Sequence, residues 1–174
     1  MNLPNKLTVL RVIMVPFFVF FMLTDVGGAA NKWIALVIFA VASLTDMLDG
    51  KIARARGLVT NFGKFMDPLA DKLLVSSALI CMIELGFLPA WIVIIIISRE
   101  FIITGFRLIA AEGGLVIAAS WWGKIKTVTQ MLMIILVLLG VGGIIGNILI
   151  ILATVFTVIS GVDYIVKNIG VLKN

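Results

Sequence analysis

Asp46, Asp49, Asp67 and Asp71 stand in a fixed frame inside or at the ends of apolar runs. The stretch reads Asp46-x-x-Asp49-Gly50-x-x-Ala53-Arg54, then eight residues, then Gly63-x-x-x-Asp67-x-x-x-Asp71. Ionisable groups at membrane depth are costly and are rare unless they pair, line a watery cavity or do chemistry. Spacings of three and four put each pair of acids on one face of a helix, a turn apart. Four converging carboxylates repel one another unless cations neutralise them. Hard oxygen ligands in this number suit Mg²⁺ or Mn²⁺, and two such ions balance four negative charges. Gly50 leaves room for a ligand beside the acids. Arg54, Arg56 and Thr60, in or near the short connection Ala55–Phe62, are of the types that meet phosphate oxygens.

A plainer reading keeps the aspartates as ion-pair partners of Arg54, Lys64 and Lys72. Lys72 weakens it, because it lies about 100° around the helix from Asp71. Gly63 falls on the Asp67/Asp71 face and Ala53 on the Asp46/Asp49 face, so two helices can approach closely there. Pro68 removes a backbone donor between Asp67 and Asp71, which predicts a kink that either aims both acids at one site or serves packing alone.

The elements that must position these residues are membrane helices. Of 174 residues, 62% are hydrophobic and 13% charged, and the mean hydropathy is +1.23, which excludes an ordinary soluble domain. Apolar runs at Leu7–Leu23, Trp33–Leu48, Phe65–Phe87, Pro89–Ile109, Val116–Leu139 and Ile144–Ile165 each approach the roughly 20 residues that cross a bilayer. The expectation is an all-α integral membrane protein with six transmembrane helices in one domain, residues 1–174. No strand-like alternation suggests a barrel, and no repeat of 20–50 residues is present. Leu7–Leu23 is interrupted by Arg11 and followed by no small-x-small site, so it reads as a retained helix rather than a leader. Cys81 is the single cysteine, which excludes an internal disulfide.

With both termini cytoplasmic, nearly every Lys and Arg falls in or facing that side and only Lys32 lies outside. The net charge of +5 is spread over helix ends, which fits topology and anionic lipid heads and gives no nucleic-acid patch.

The acidic frame matches the signature of the CDP-alcohol phosphatidyltransferases at every position, and the chain resembles that family over essentially its whole length. The resemblance implies a multi-pass six-helix fold in the bacterial cytoplasmic membrane, a homodimer, and a two-metal site (Mg²⁺ or Mn²⁺) facing the cytoplasm. It also implies transfer of a phosphatidyl group from CDP-diacylglycerol to an alcohol, with release of CMP. On that resemblance Asp46, Asp49 and Asp67 are metal ligands. Asp71 is the general base and shares the second ion. Gly50, Arg54 and Thr60 contact the CDP moiety, and Asn5 and Thr8 close the nucleotide pocket.

Outside the frame, Asn2-Leu3-Pro4-Asn5-Lys6-Leu7-Thr8-x-x-Arg11, Arg99-Glu100-Phe101-x-x-Thr104-Gly105-x-Arg107 and Gly123-Lys124-x-Lys126-Thr127 are similar to those of bacterial members that use glycerol 3-phosphate. Glu100, Thr104 and Arg107 share a helix face. Arg99, Thr104, Arg107, Lys124 and Lys126 are the candidates for holding an acceptor phosphate, and so much positive charge is not needed for a free hydroxyl acceptor such as serine. Taken singly, these basic residues also fit topology or an ion pair with Glu100. Two rivals stand beside this reading: the same core acting on another phosphorylated alcohol such as inositol phosphate, and an ion-coupled transporter. The acids cluster near cytoplasmic ends and no inverted repeat exists, which counts against transport. Gly142 and Gly146 form a GxxxG spacing that suits either a dimer contact or packing of the fifth helix on the sixth.

Overall fold

Each expected apolar run corresponds to one α-helix in the computed structural model. Its description covers residues 2–55, 60–115, 117–118 and 120–170, with the side chains of residues 47–55, 61, 64, 65 and 112 outside it. The helices are α1 (Leu3–Leu23), α2 (Ala30–Ala55), α3 (Asn61–Glu84), α4 (Ala90–Glu112), α5 (Trp121–Leu138) and α6 (Gly143–Asn168). No strand occurs among the described residues. Three of them, α1, α5 and α6, are long and apolar enough to cross a membrane. The apolar run of α4 is broken by Arg99, Glu100 and Arg107, and that of α3 by Asp67, Asp71 and Lys72.

Helix starts follow local chemistry. Asn2 accepts a hydrogen bond from the Asn5 backbone N–H at 3.1 Å, and Pro4 sits in the first turn where its missing donor costs nothing. Thr60 caps α3 through the Gly63 N–H at 3.0 Å. Ser120 caps α5 through the Gly123 N–H at 3.1 Å. That cap shifts the fifth helix from the expected start at Val116 to Trp121, because Gly113 and Gly114 end α4 in a turn and Ser120 is the first residue able to satisfy new N–H groups.

The chain folds as two compact units, Met1–Phe87 and Leu88–Asn174. In the first, α1 packs against both α2 and α3. Ala35, Phe39 and Ala42 recur at helical spacing and are completely buried, and Phe39 meets Phe18 of α1 with ring centroids 5.8 Å apart. Asn31 closes the α1–α2 loop: it accepts from the Gly27 N–H at 2.8 Å and donates to the Thr24 carbonyl.

In the second unit α6 takes the central part, packing on α4 and α5. Its buried face is a stripe of small and hydroxylated residues, Gly146, Ala153, Thr154, Thr157, Ser160 and Gly161, the kind that lets helices approach closely without aqueous solvent to drive them together. The tight α5–α6 turn uses Gly140 and Gly143 at φ 91° and 61°, a region that L side chains avoid. A Cβ on Gly146 would come within 2.9 Å of the Val141 carbonyl oxygen. Gly146 therefore makes room for the chain's own turn.

Large apolar side chains stand exposed on the helices, among them Phe17, Val37, Trp91, Ile94, Ile102, Val128 and Val162. Such a surface suits hydrocarbon and is far too apolar for water.

Candidate active site

The first unit gathers oxygen-rich side chains at the start of α1 and the start of α3. Asn5, Thr8 and Arg11 recur every three residues on α1 and are buried, Thr8 and Arg11 completely. Thr8 Oγ1 lies 2.5 Å from Asp67 Oδ1 and 3.1 Å from the Pro4 carbonyl. A hydroxyl has one proton, and the nearer, charged acceptor holds it more strongly. Thr60 Oγ1 donates to Asn5 Oδ1 at 2.9 Å while accepting from the Gly63 N–H.

Gly63 is what lets these groups meet. A Cβ there would lie 3.2 Å from Asn5 Oδ1, 3.3 Å from Thr60 Oγ1 and 3.5 Å from Asp67 Oδ2. The Gly at the head of the acidic frame thus leaves room for the Asn5 and Thr60 oxygens, while Asp67 Oδ2 lies at ordinary contact distance. Four residues expected at the site, Asn5, Thr8, Thr60 and Asp67, are brought together here.

Asp46 is held differently. Arg11 NH1 reaches its Oδ1 at 2.6 Å, with the arginine side chain fully buried and the carboxylate 37% exposed. Arg11 was expected to serve topology; instead it is the counter-charge of the first acid in the frame. Its place inside an apolar run was the signal, since a charge there calls for a partner.

Asp71 is half-buried on α3, one turn from Asp67. Lys72 gives its ammonium to the Pro68 carbonyl at 3.3 Å, in keeping with its pointing away from the acids. Asp49, Gly50 and Arg54 lie on α2, and their side chains fall outside the described residues, as does Arg56. Among the described residues no three His, Cys, Asp or Glu side chains gather around one point.

The basic residues of the second unit divide into two sets. Glu100 Oε1 takes both Lys126 Nζ at 2.5 Å and Arg99 NH1 at 3.2 Å, and all three side chains are less than one-fifth exposed. One carboxylate thus answers two cations. Arg107 and Lys124, by contrast, are exposed. The Lys124 ammonium sits over the Trp121 ring, 5.8 Å from its centroid. Thr104 returns its hydroxyl to the Glu100 backbone carbonyl at 2.7 Å. Arg99 and Lys126 are thus brought together by Glu100, while Lys124 and Thr104 are engaged elsewhere. Glu100 had been read only as a partner for neighbouring cations; it is the hub of the cluster.

The chain was also compared with known proteins. The family model described as CDP-alcohol phosphatidyltransferase matches residues 1–159. A Bacillus subtilis protein named CDP-diacylglycerol–glycerol-3-phosphate 3-phosphatidyltransferase is 45% identical, over 99% of this chain and 97% of its own. Proteins of the same name from Rickettsia typhi (35% identical, 94% of each chain) and Haemophilus influenzae (45% identical, 75% of this chain and 72% of its own) are also similar. The aspartate frame, the α1 donors that hold it and this match along the chain agree, and the protein belongs to the CDP-alcohol phosphatidyltransferase family.

Proposed function

We propose that this chain transfers the phosphatidyl group of CDP-diacylglycerol to glycerol 3-phosphate, giving phosphatidylglycerophosphate and CMP. The observation that carries the reading is the 45% identity, over nearly the whole of both chains, with a protein named for that reaction. The positive cluster of Arg99 and Lys126 around Glu100 supports a phosphorylated acceptor. In this reading all six helices span the cytoplasmic membrane, both units serve one catalytic domain, the termini and the site face the cytoplasm, and the enzyme works as a homodimer.

The acids suit a hard divalent cation. Asp67 presents one oxygen to Thr8, and carboxylate oxygens are the donors that Mg²⁺ and Mn²⁺ take. Asp46, Asp49, Asp67 and Asp71 would hold two such ions, which when bound supply charge compensation and Lewis-acid polarisation at the diphosphate. Asp71 accepts the proton of the attacking glycerol 3-phosphate hydroxyl. Thr8 and Thr60 fix the acid and the nucleotide pocket against α1, and Asn5, Gly50 and Arg54 complete the CDP contacts. Arg99, Arg107 and Lys126 hold and orient the acceptor phosphate, while Thr104 and Lys124 would have to turn from the Glu100 carbonyl and the Trp121 ring to join them.

The purified, lipid-reconstituted chain given CDP-diacylglycerol and a panel of alcohols tests this. Release of CMP with glycerol 3-phosphate, lost in EDTA and restored by Mg²⁺ or Mn²⁺, is the expected result. Preference for inositol phosphate, serine or free glycerol overturns the acceptor, and absence of CMP release with every alcohol overturns the activity.

A further inference from the structure

Two buried hydrogen-bond donors lie in the second unit, and neither has an acceptor among the described residues. One is the hydroxyl of Tyr164, a residue 3% exposed on α6; the other is Nε of Arg99 on α4. Buried donors left unpaired cost on the order of 1–3 kcal/mol each, so a fold that keeps two of them along one stretch of α6 points to a ligand that satisfies them.

Their closeness follows from α6. A Cβ on Gly161 would stand 3.1 Å from Arg99 Cγ, so the arginine stem crosses α6 at that glycine. Tyr164 is three residues further on and shares the face. Its ring is fixed edge-on against Phe106, with centroids 6.1 Å apart and planes at 84°. Both Arg99 and Arg107 act electrostatically on the Tyr164 hydroxyl. Glu100 draws the other end of Arg99, through NH1, and leaves Nε aside. Two donors in a positive, largely desolvated corner call for an anion with several acceptor oxygens.

We propose that Tyr164 is a substrate-contacting residue, whose hydroxyl and the Arg99 Nε–H donate to oxygens of the acceptor's phosphate and form the inner wall of an anion subsite. This rests on the reading of the acceptor as a phosphorylated alcohol. The subsite separates phosphorylated from free alcohols, because a free alcohol leaves both donors unpaired.

Tyr164→Phe removes the hydroxyl and keeps the ring against Phe106. In the full-length reconstituted protein, its KM for glycerol 3-phosphate should rise about tenfold or more, the range for a hydrogen bond to a charged group. KM for CDP-diacylglycerol should stay unchanged. Inorganic phosphate should raise the melting temperature of the wild type and raise that of Tyr164→Phe less. Gly161→Ala, which pushes on the Arg99 stem while keeping Tyr164, should raise the same KM. A Tyr164→Phe protein with wild-type KM for glycerol 3-phosphate and wild-type stabilisation by phosphate overturns the proposal; if that variant does not fold, a wild-type KM in Gly161→Ala overturns it. A wild type that phosphate stabilises through Tyr164, yet that never uses glycerol 3-phosphate, keeps the subsite and overturns the acceptor.

Discussion

The two units solve opposite charge problems with the same device, one buried side chain of the minority sign. In the first unit Arg11, fully buried, answers Asp46, the first acid of the frame. In the second Glu100, largely buried, answers Arg99 and Lys126. In sequence the first unit carries Asp46, Asp49, Asp67 and Asp71 and the second Arg99, Arg107, Lys124 and Lys126, and charges in low-dielectric surroundings are costly unless something of opposite sign answers them. The lesson is that each answered charge suggests where a ligand is to be sought: on the proposed reading, divalent cations at the acids of α2 and α3 and a phosphate at the bases of α4 and α5.

The largest test of that contrast is on the acid side. Asp67→Asn keeps an oxygen to accept from Thr8, so the melting temperature should hold, yet CMP release should fall on the order of 10³-fold or more as an ion loses its charged ligand. Loss of folding with the activity would mean that the acids serve structure. Asp71→Asn comes next. It should still bind metal and CDP-diacylglycerol, while kcat drops by about 10²–10⁴, the usual contribution of a general base; near-normal turnover would give the proton to another group.

Arg11→Leu probes the minority charge itself. Breaking a fully buried pair costs about 3–5 kcal/mol, and the partial exposure of Asp46 brings the expected loss of stability down to about 2 kcal/mol. Added Mg²⁺ should recover more stability in this variant than in the wild type, measured by unfolding in detergent with and without the ion. Equal recovery would break the parallel between the units. The smallest effect belongs to the basic side. Arg107 is exposed, so Arg107→Ala should weaken the response to glycerol 3-phosphate by about 1.5 kcal/mol, roughly tenfold, with lysine rescuing only in part. Kinetics with CDP-diacylglycerol held saturating would measure it.

The six helices were legible because an apolar run of membrane length has few other uses. The acidic frame was legible because carboxylates in such runs are expensive. What the sequence hid was pairing across helices. Nothing local to Arg11 says that its partner is Asp46, and nothing local to Thr8 points to Asp67, which is 59 residues away. The Ser120 cap sets the start of α5, a local feature that hydropathy does not register. Tyr164, the single tyrosine, went unnoticed in a run of apolar residues, where its hydroxyl matters only because no described side chain answers it.

The Arg11–Asp46 contact also bears on how the protein is made. During synthesis α1 emerges first, carrying a guanidinium that costs about 2.5–3.5 kcal/mol at the centre of an inserting helix. The carboxylate that neutralises it belongs to α2. Until the ribosome has delivered α2, the Arg11 guanidinium lacks this carboxylate, so α1 is expected to settle together with α2, whose Asn31 bonds back to Thr24 at the end of α1. A nascent chain halted before Asp46 should leave α1 poorly integrated, and the same chain carrying Arg11→Leu should integrate it well.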